Sequence, residues 1–304
     1  MKIVVAGSGG VGGYYGAMMA RAGHEVFFIA RGAHLEAIAK NGLTVKSYQG
    51  DFTIHPPCGQ DSSSFGMADL ILVCVKAYDT LATTGLYAQS VGPQTLIISL
   101  QNGIENEPIL MRTFGGAKVL GGIAFIGAMT GSPGVILHTA FGSMAIGEMD
   151  GGQSARAEAL GKAFTQAGIK CKVSPHIVKD MYGKLLWNVG FNAICSILEC
   201  SAAEALKFGP TRAMVHGAMM EWVAVAGASG VELDPSSVEK NIETTLKGGE
   251  IIPSMLQDKR RGRRMEIESF NGMVARMGRD LGIPVPINSL IADIVRFYNH
   301  KLGF

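Results

Sequence analysis

The fold is decided by the first twelve residues of the chain, Met1-Lys2-Ile3-Val4-Val5-Ala6-Gly7-Ser8-Gly9-Gly10-Val11-Gly12. An apolar strand leads into closely spaced glycines, and a helix is predicted to follow over Val11 to Arg21. Gly7 would permit the tight turn, Gly9 the approach of a phosphate to backbone N–H groups, and Gly12 the close packing of the helix on the strand. Because a helix N-terminus carries unpaired N–H groups and a positive dipole end, residues 7–12 predict a dinucleotide site.

The second predicted strand, Glu25 to Ala30, is followed at once by a cation, Arg31. An NAD site commonly has an acidic residue about 20 residues after its last glycine, where it binds the ribose 2′-hydroxyl. Arg31 stands in that place and would instead fit a 2′-phosphate. The sequence therefore predicts NADPH/NADP+ as the cofactor. NAD(H) as cofactor and a solvated Arg31 at a strand end are the alternatives.

Composition limits the classes of protein to which the chain can belong. At 304 residues it is long for one hydrophobic core, so two domains are expected. A net charge of +2 gives no overall attraction for nucleic acid. The five cysteines show neither paired nor Cys/His spacing, which predicts reduced thiols, no metal site and a cytoplasmic protein. The uncharged stretch Val119 to Gly147 is broken by glycines and predicts short strands, so no membrane partner is expected.

Strand and helix patterns alternate in the first half of the chain. Strands are predicted at Leu70 to Val75, Thr95 to Leu100, Val119 to Met129, Val135 to Ala140, Ser143 to Gly147 and Lys170 to Val173, with a helix at Ala155 to Ala167. Such alternation is typical of parallel sheets, and the three runs after residue 118 are expected to extend the sheet edge. We therefore predict an α/β Rossmann-type doubly wound parallel sheet, forming an NADP-binding domain over residues 1–174.

From about Pro175 onward the strand patterns disappear. Helices are predicted at Asp180 to Cys200, Pro210 to Ala228, Ser236 to Gly248, Arg264 to Leu281 and Ser289 to His300. This pattern predicts a C-terminal all-α domain over residues 175–304 that supplies substrate-binding and catalytic residues. Because no linker separates the two halves, we expect a cleft between them to hold the ligands.

Polar residues recur at helical spacing inside the first of these helices. Lys184, Asn188 and Asn192 stand at i, i+4 and i+8, so a helix places them on one face. Their neighbours are mostly apolar, and burying an amide without a partner costs about 1–3 kcal/mol. We interpret the face as a polar stripe at a ligand site, with a solvated helix face as the alternative.

Two further candidates follow predicted strands. Lys76 and Asn102 lie just beyond the strands that end near Val75 and Leu100. Open α/β sheets bind ligands at the carboxyl ends of their strands, so Lys76 could meet a phosphate or a ribose there. Asn102 precedes Gly103, and Asn-Gly is a common turn dipeptide, which is the alternative interpretation of Asn102.

The last informative block begins at Ser254 and ends after Glu266. Between these residues runs the basic sequence Lys259-Arg260-Arg261-Gly262-Arg263-Arg264. Basic runs can bind nucleic acid, but this one has no interleaved aromatic residue and the chain has no strong positive charge. A solvated segment is the better interpretation, so no nucleic-acid partner is expected.

Together these segments resemble the ketopantoate reductase (2-dehydropantoate 2-reductase) family over nearly the whole chain. The resemblance rests on the glycine motif of residues 7–12, Val75-Lys76-Ala77, Gln101-Asn102-Gly103, Lys184 with Asn188 and Asn192, Ser254-Met255-Leu256-Gln257-Asp258, and Glu266-Ile267 followed by Asn271-Gly272. It implies an NADP-binding Rossmann-type domain followed by a helical domain like that of 6-phosphogluconate dehydrogenase.

The resemblance also implies an activity and residue roles. The activity is the NADPH-dependent reduction of 2-dehydropantoate, a small 2-oxo acid, to pantoate in the pathway to pantothenate and coenzyme A. Lys184 would be the general acid that protonates the developing alkoxide, and Glu266 would bind the 4-hydroxyl of the substrate. Asn102, Asn188, Asn192 and Ser254 would hold the substrate and the nicotinamide ribose.

One departure from the family pattern keeps an alternative open. Family members can carry a further Asn about eighteen residues after the lysine, where this chain has Ala202. The chain could therefore be a paralogous reductase of another 2-oxo acid. A non-catalytic NADP(H)-binding sensor is a further alternative, although such a sensor would not need the proton donor Lys184. The oligomeric state stays open, with a homodimer as one alternative.

Overall fold

The computed structural model describes every residue from Met1 to Phe304, and the chain forms two compact units, Met1–Val178 and Lys179–Phe304. The first unit is built around a ten-stranded sheet. Its strands are β1 (Lys2–Ala6), β2 (Glu25–Ile29), β3 (Leu43–Ser47), β4 (Phe52–Ile54), β5 (Cys58–Gly59), β6 (Ala68–Val73), β7 (Val91–Ser99), β8 (Val119–Thr130), β9 (Val135–Glu148) and β10 (Cys171–Val173). Its helices are α1 (Gly10–Arg21), α2 (Gly32–Asn41), α3 (Thr80–Thr83), α4 (Asn106–Phe114) and α5 (Ala155–Gln166).

The sheet is mostly parallel and doubly wound. The strand order is β4-β3-β9-β8-β7-β6-β1-β2-β5, with β10 beside β9. From β1 the chain moves outward through β2 on one side and through β6, β7 and β8 on the other, all of them parallel. The β8–β9 and β3–β4 pairs are antiparallel. The predicted α/β class is therefore confirmed.

Strand β1 is enclosed on both faces of the sheet. Ile3 and Val5 join the hydrophobic cluster that packs under α1, whereas Val4 and Ala6 join the cluster on the opposite face. None of these four side chains is more than 2% exposed. Strands of parallel sheets that are covered by helices on both sides read as continuous apolar runs, which explains the composition of the first six residues.

The uncharged stretch after residue 118 forms two long strands instead of three short ones. β9 continues through Phe141 and Gly142, which have φ values of 59° and 116°, and its register to β8 shifts at this point. Phe141 pairs with Ile126 and Ser143 with Phe125, so Gly142 is the extra residue of a β-bulge, and the strand is bent without being interrupted. The predicted break between Ala140 and Ser143 is therefore wrong.

The regular elements after the sheet are helical, as predicted for this part of the chain. They are α6 (Ile177–Leu198), α7 (Ala202–Lys207), α8 (Gly209–Ala228), α9 (Ser236–Lys247), α10 (Ser254–Arg260), α11 (Asn271–Leu281) and α12 (Pro286–Lys301). The short helices α7 and α10 were not predicted. No helix of the chain combines the length and the apolar character needed to cross a membrane.

One predicted helix begins later than expected. The pattern from Arg264 predicts a helix to Leu281, but α11 starts at Asn271, after a single 3₁₀ turn. The side chain of Asn299 accepts a hydrogen bond from Met265 N at 2.9 Å and donates one to Met265 O at 3.0 Å. Both backbone groups of Met265 are thus paired with a side chain of α12 instead of with helical partners, and the residues up to Phe270 form only the 3₁₀ turn before α11 begins.

Replacing Gly12 by alanine tests the contact between α1 and β1. The added Cβ would overlap the carbonyl oxygen of Gly7 and lie 2.9 Å from both Cys74 Cβ and Val5 Cγ1. We expect G12A to lower the free energy of unfolding by about 1–3 kcal/mol in urea denaturation, as overpacking does. The control is Gly85→Ala, whose Cβ would meet nothing within 4 Å and which should change stability by less than about 0.5 kcal/mol. Equal stability of the two variants would contradict the packing argument.

Candidate active site

Four parallel strands of the first unit end in one row. Ala6 of β1 pairs with Ile29 of β2 and with Val73 of β6, and Val73 pairs with Ser99 of β7. The segments that follow these strands therefore leave from the same edge of the sheet. In order along that edge they contain Arg31, the glycine turn of residues 7–12, Lys76 and Asn102. This is the carboxyl edge, where open α/β sheets bind their ligands.

The glycine turn leaves open space beside its backbone. Gly7 has a φ of +101°, and a Cβ there would lie 2.7 Å from Val75 N, so the turn accepts no side chain at this position. A Cβ added to Gly9 would meet nothing closer than Thr130 Oγ1, at 4.0 Å. The first-turn N–H groups of α1, which begins at Gly10, have no partner within the helix. Open space and unpaired donors together fit an anionic group such as a diphosphate.

Arg31 stands next to this turn as the residue that precedes α2. Its backbone is extended, with φ −142° and ψ 157°. The side chain is exposed, and its guanidinium makes no hydrogen bond or ion pair within the chain. A guanidinium without a partner is available to a phosphate or carboxylate, with which it forms charge-assisted hydrogen bonds.

A buried glutamine that was not predicted as a site residue joins the next two loops. Gln101 donates from Nε2 to Val75 O at 3.0 Å and to Thr80 Oγ1 at 2.7 Å. Thr80 Oγ1 also lies 2.8 Å from Asn106 Oδ1, and Asn106 Nδ2 donates to Asn102 O at 2.9 Å. The loops that follow β6 and β7 are therefore held in a fixed relation to each other. The position of Gln101, directly before Asn102 in the quoted motif, was the available signal.

The cysteine thiols are protonated at neutral pH. All five are free of disulfide bonds. Burial raises the pKa of Cys171 to about 12, and it raises the pKa of Cys74 and Cys195 still further above the ordinary value. The thiolate is the nucleophilic form, so we assign none of these three thiols to the chemistry of the site.

Helix α6 carries the polar face that the sequence predicts. Asn192 Nδ2 donates to Asn188 Oδ1 at 3.1 Å, one turn earlier. Asn192 Oδ1 accepts hydrogen bonds from Ser254 Oγ and from Met255 N at the start of α10, both at 3.2 Å. Asn192 is only 1% exposed and thus connects α6 to α10. The amide nitrogen of Asn188 has no acceptor within the chain, and Lys184, half-buried, lies one turn before it on the same face.

Glu266 is buried in the segment between α10 and α11. The Asn299 contacts described above hold the backbone directly before it. After it, Asn271 Nδ2 donates to Val189 O of α6 at 3.0 Å. Val189 is the residue after Asn188, so the backbone around Glu266 is anchored to the part of α6 that carries the amide pair. The structure thus brings the segments of Ser254 and Glu266 to one helix.

Asn271 belongs to a buried polar network that the sequence analysis missed. Its Nδ2 also donates to Asn288 Oδ1 at 2.8 Å, and Asn288 Nδ2 donates to Ala218 O at 3.0 Å and to Glu221 Oε2 at 2.6 Å. The carboxylate of Glu221 further accepts Ile287 N and Asn288 N, each at 2.9 Å, at the start of α12. This network joins α6, α8, α11 and α12, and such shared hydrogen bonds make a rigid support for a site.

The first two residues of the basic run, Lys259 and Arg260, make contacts within the chain. Lys259 Nζ donates to Ser196 O at 2.8 Å, pairs with Glu199 Oε1 at 2.9 Å and lies 4.4 Å from the centroid of the Tyr298 ring. Arg260 donates to Glu199 O at 3.4 Å. Positive charge is favourable at a helix C-terminus, so these two residues stabilise the end of α6.

Ala202, the position of the departure from the family pattern, is fully enclosed. It is 0% exposed, and its N–H donates to Ile251 O at 2.9 Å. A larger polar side chain here would need both a cavity and a hydrogen-bond partner, because burying an unpaired amide is costly. The packing around Ala202 is therefore suited to the small residue that this chain has.

Models of protein families match most of the chain. The model described as "Ketopantoate reductase PanE/ApbA" matches residues 3–151, and the model of the C-terminal part of the same proteins matches residues 176–299. The chain belongs to the ketopantoate reductase family. The resemblance drawn from the glycine motif, the Lys184 block and the Glu266 block is thereby confirmed.

Several relatives are similar to the chain from end to end. The 2-dehydropantoate 2-reductase of Halobacterium salinarum is 32% identical over 97% of this chain and 98% of its own. The crystal structure of 2-dehydropantoate 2-reductase from Geobacter metallireducens is 34% identical, with a TM-score of 0.92 and coverage of 98% and 99%. D-mandelate dehydrogenase, in a ternary structure with NADH and anilino(oxo)acetate, is 26% identical, with a TM-score of 0.92 and full coverage of both chains. The family is one of oxidoreductases, and its fold implies a nicotinamide cofactor.

Replacing Asn192 by leucine, which has a similar volume, should loosen α10 from α6. The buried N–H of Met255 would lose its acceptor, at a cost of about 1–3 kcal/mol in the free energy of unfolding. Urea denaturation measures this loss. The control is Asn241→Leu on α9, where the amide donates to Ser237 O within the same helix, and it should cost less than about 1 kcal/mol. An N192L protein as stable as the parent would show that the bridge contributes nothing.

Proposed function

We propose that this chain catalyses the NADPH-dependent reduction of 2-dehydropantoate to pantoate, a step toward pantothenate. The observation that carries the proposal is the polar face of α6. Lys184 lies one turn before the amide of Asn188, and the same stretch of helix is tied to the segments of Ser254 and Glu266. A proton donor, an amide donor and a carboxylate are thus supplied by one domain of a ketopantoate reductase family member.

The first domain is suited to the dinucleotide. When NADPH is bound, it supplies the hydride, and the protein supplies binding and orientation. We assign Gly7, Ser8, Gly9, Gly10, Val11 and Gly12 to its pyrophosphate, on the strength of the open space at Gly9 and the free first turn of α1. Lys76 and Asn102, in the two loops that Gln101 joins, are assigned to the remaining phosphate and sugar groups.

The preference for NADPH is assigned to Arg31. Its exposed guanidinium is free of partners within the chain and follows the strand next to the glycine turn. A carboxylate at that place would favour the ribose 2′-hydroxyl of NADH, whereas a guanidinium favours a 2′-phosphate. The proposal is therefore that Arg31 binds the group that distinguishes the two cofactors.

Lys184 is proposed as the general acid. Hydride arriving at a ketone carbon leaves negative charge on the oxygen, and a nearby ammonium stabilises that charge and supplies the proton. Asn188, one turn along the same face, has an amide nitrogen left to donate to the substrate. Asn192 uses its oxygen on Ser254 and Met255, so its proposed part is to hold Asn188 and Ser254 in place.

Glu266 is proposed to bind the 4-hydroxyl group of the substrate. A carboxylate is a strong acceptor for a hydroxyl donor, and the Asn299 and Asn271 contacts fix the backbone on either side of it. A site built to accept such a hydrogen bond discriminates strongly against analogues that lack the hydroxyl. Glu266 would therefore set substrate selectivity, while Lys184 would serve any 2-oxo acid.

A second candidate function is the reduction of a different 2-oxo acid. It is favoured by the likeness to D-mandelate dehydrogenase over the full length of the chain, at a TM-score of 0.92. The enclosed alanine at position 202, where family members can carry an asparagine, points in the same direction. The two candidates share the proton transfer from Lys184 and differ in the contact made by Glu266.

The direct test is NADPH oxidation by the purified protein with ketopantoate, beside pyruvate, 2-oxoisovalerate and a control with NADH. We expect the highest kcat/KM with ketopantoate and NADPH. Glu266→Gln should lower kcat/KM for ketopantoate about 10–100-fold and barely change that for 2-oxoisovalerate, which lacks the 4-hydroxyl. Equal losses on both substrates would remove this role from Glu266. Turnover confined to another 2-oxo acid would favour the second candidate, and binding of NADPH without any turnover would favour a sensor.

Replacing Lys184 by methionine removes the proton donor and keeps most of the side-chain volume. Because general acid catalysis typically contributes 10²–10⁴-fold, kcat should fall by about that factor, with the Kd of NADPH unchanged within about twofold. Stopped-flow turnover and cofactor titration measure the two quantities. Lys179→Met changes an exposed lysine of the same helix and should keep full activity. Full turnover by K184M would overturn the assignment.

A further inference from the structure

His34 uses both nitrogens of its ring to connect the glycine turn to a distant hairpin. Nε2 lies 2.8 Å from the carbonyl oxygen of Ser8, in the middle of the glycine turn. Nδ1 lies 3.0 Å from Gly134 N, which donates to it from the turn between β8 and β9. The ring itself belongs to the first turn of α2, three residues after Arg31. One side chain thus touches three separate parts of the first domain.

These two contacts select one form of the imidazole ring. A backbone N–H can only donate, so Nδ1 must be unprotonated to accept from Gly134. A carbonyl oxygen can only accept, so Nε2 must carry the hydrogen that is donated to Ser8. The neutral ring with its proton on Nε2 meets both requirements, and each partner fixes the tautomer that the other needs.

The bond to Ser8 determines the direction of the neighbouring amide. The chain contains no cis peptide, so the C=O of Ser8 and the N–H of Gly9 lie in one plane and point in opposite directions within it. With the carbonyl directed at His34, the Gly9 N–H is directed away from α2. It makes no hydrogen bond within the chain, and the space beside Gly9 is open. This amide is therefore presented to a ligand.

The far end of the connection is firmly held. The carbonyl of Gly134 accepts a hydrogen bond from Thr44 N at 2.9 Å, and Gly134 has a φ of +77° that few other residues adopt. The same hairpin also packs directly against the glycine turn, because a Cβ on Gly10 would overlap the carbonyl of Ala128 in β8. The Gly134 end of the connection is therefore rigid, and it fixes the position from which the His34 ring donates to Ser8.

We propose that His34 is a positioning residue for cofactor binding, which holds the Ser8–Gly9 peptide so that the Gly9 N–H is directed at the pyrophosphate. The inference rests on the dinucleotide site of the proposed function and adds a residue to it. The pyrophosphate is common to NADPH and NADH. His34 should therefore affect the affinity for both cofactors by the same factor, whereas Arg31 should affect NADPH alone.

Two substitutions separate the two hydrogen bonds of His34. An asparagine amide reaches the position of Nδ1 and can still accept from Gly134, but it is too short to reach Ser8. A glutamine amide reaches the position of Nε2 and can donate to Ser8. His34→Asn should raise the Kd of both NADPH and NADH about tenfold, the value of one hydrogen bond near 1.4 kcal/mol. His34→Gln should stay within about threefold of the parent, and kcat at saturating NADPH should be unchanged in both variants.

The experiment is isothermal titration of each purified variant with NADPH and NADH, with a thermal melt to confirm folding. Arg31→Ala is the comparison that should weaken NADPH and spare NADH. The matched control is His138→Gln, a buried histidine whose nitrogens contact Ser47 Oγ at 2.8 Å and Phe141 O at 3.1 Å, outside the glycine turn. It should alter the melting temperature without changing either Kd.

Each outcome decides the matter. Equal weakening of both cofactors by H34N, with recovery in H34Q, supports the positioning role. Unchanged affinities in H34N, or a loss confined to NADPH, would overturn it, as would the same loss in H34N and H34Q. A parent protein that binds both cofactors but reduces no 2-oxo acid would refute the proposed function and leave this test intact. A parent that binds neither would refute both.

Discussion

The close contact between α1 and β1 is the constraint on which the rest of the first domain depends. Gly12 packs against the carbonyl oxygen of Gly7 with no room for a Cβ atom. This contact brings the N-terminus of α1 to the carboxyl edge of the sheet, where β2, β6 and β7 also end. The same edge thus gathers unpaired backbone donors, the exposed cation Arg31 and two polar loops. Each role proposed for the first domain depends on that arrangement.

The glycine turn could be predicted from the sequence because it depends on residues that are close together along the chain: an apolar strand followed by glycines at fixed spacing. Hydrogen bonds between residues that are far apart in the sequence could not be predicted in this way. His34 pairs with Gly134, 100 residues later, and Asn299 interrupts a helical pattern at Met265, 34 residues earlier. Periodicity within a short window contains no information on such pairs. The central strands β1, β2, β6 and β7 and the helix α6 could therefore be predicted, whereas the short strands β3, β4 and β5 were missed. The helix that ends at Leu281 begins at Asn271 instead of Arg264.

Asparagine has a larger part in the second domain than the sequence analysis recognised. The burial argument applied to Asn188 and Asn192, that an enclosed amide needs a hydrogen-bond partner, holds equally for Asn288 and Asn299 of α12, and all four are at most 7% exposed. An amide has both donors and an acceptor, so one side chain can join two elements. Asn299 holds Met265 and Asn288 holds Asn271, so the segment that contains Glu266 is fixed to α12 on both sides. Glu266, to which we assign substrate selectivity, therefore lies on a loop that is held in place by rigid helices.

The two Asn-Gly pairs of the proposed site differ in their resistance to chemical ageing. In an Asn-Gly pair the backbone nitrogen of glycine can attack the side-chain amide carbon of asparagine, with loss of ammonia, and water then opens the cyclic imide to aspartate or isoaspartate. Asn271 is 0% exposed, its amide nitrogen is held by two hydrogen bonds, and Gly272 lies in the first turn of α11, all of which oppose ring closure. Asn102 lies in a loop before Gly103, whose φ is +93°. Of these two pairs, Asn102-Gly103 is therefore the more open to deamidation, which would add a negative charge to the edge of the sheet that must receive an anion.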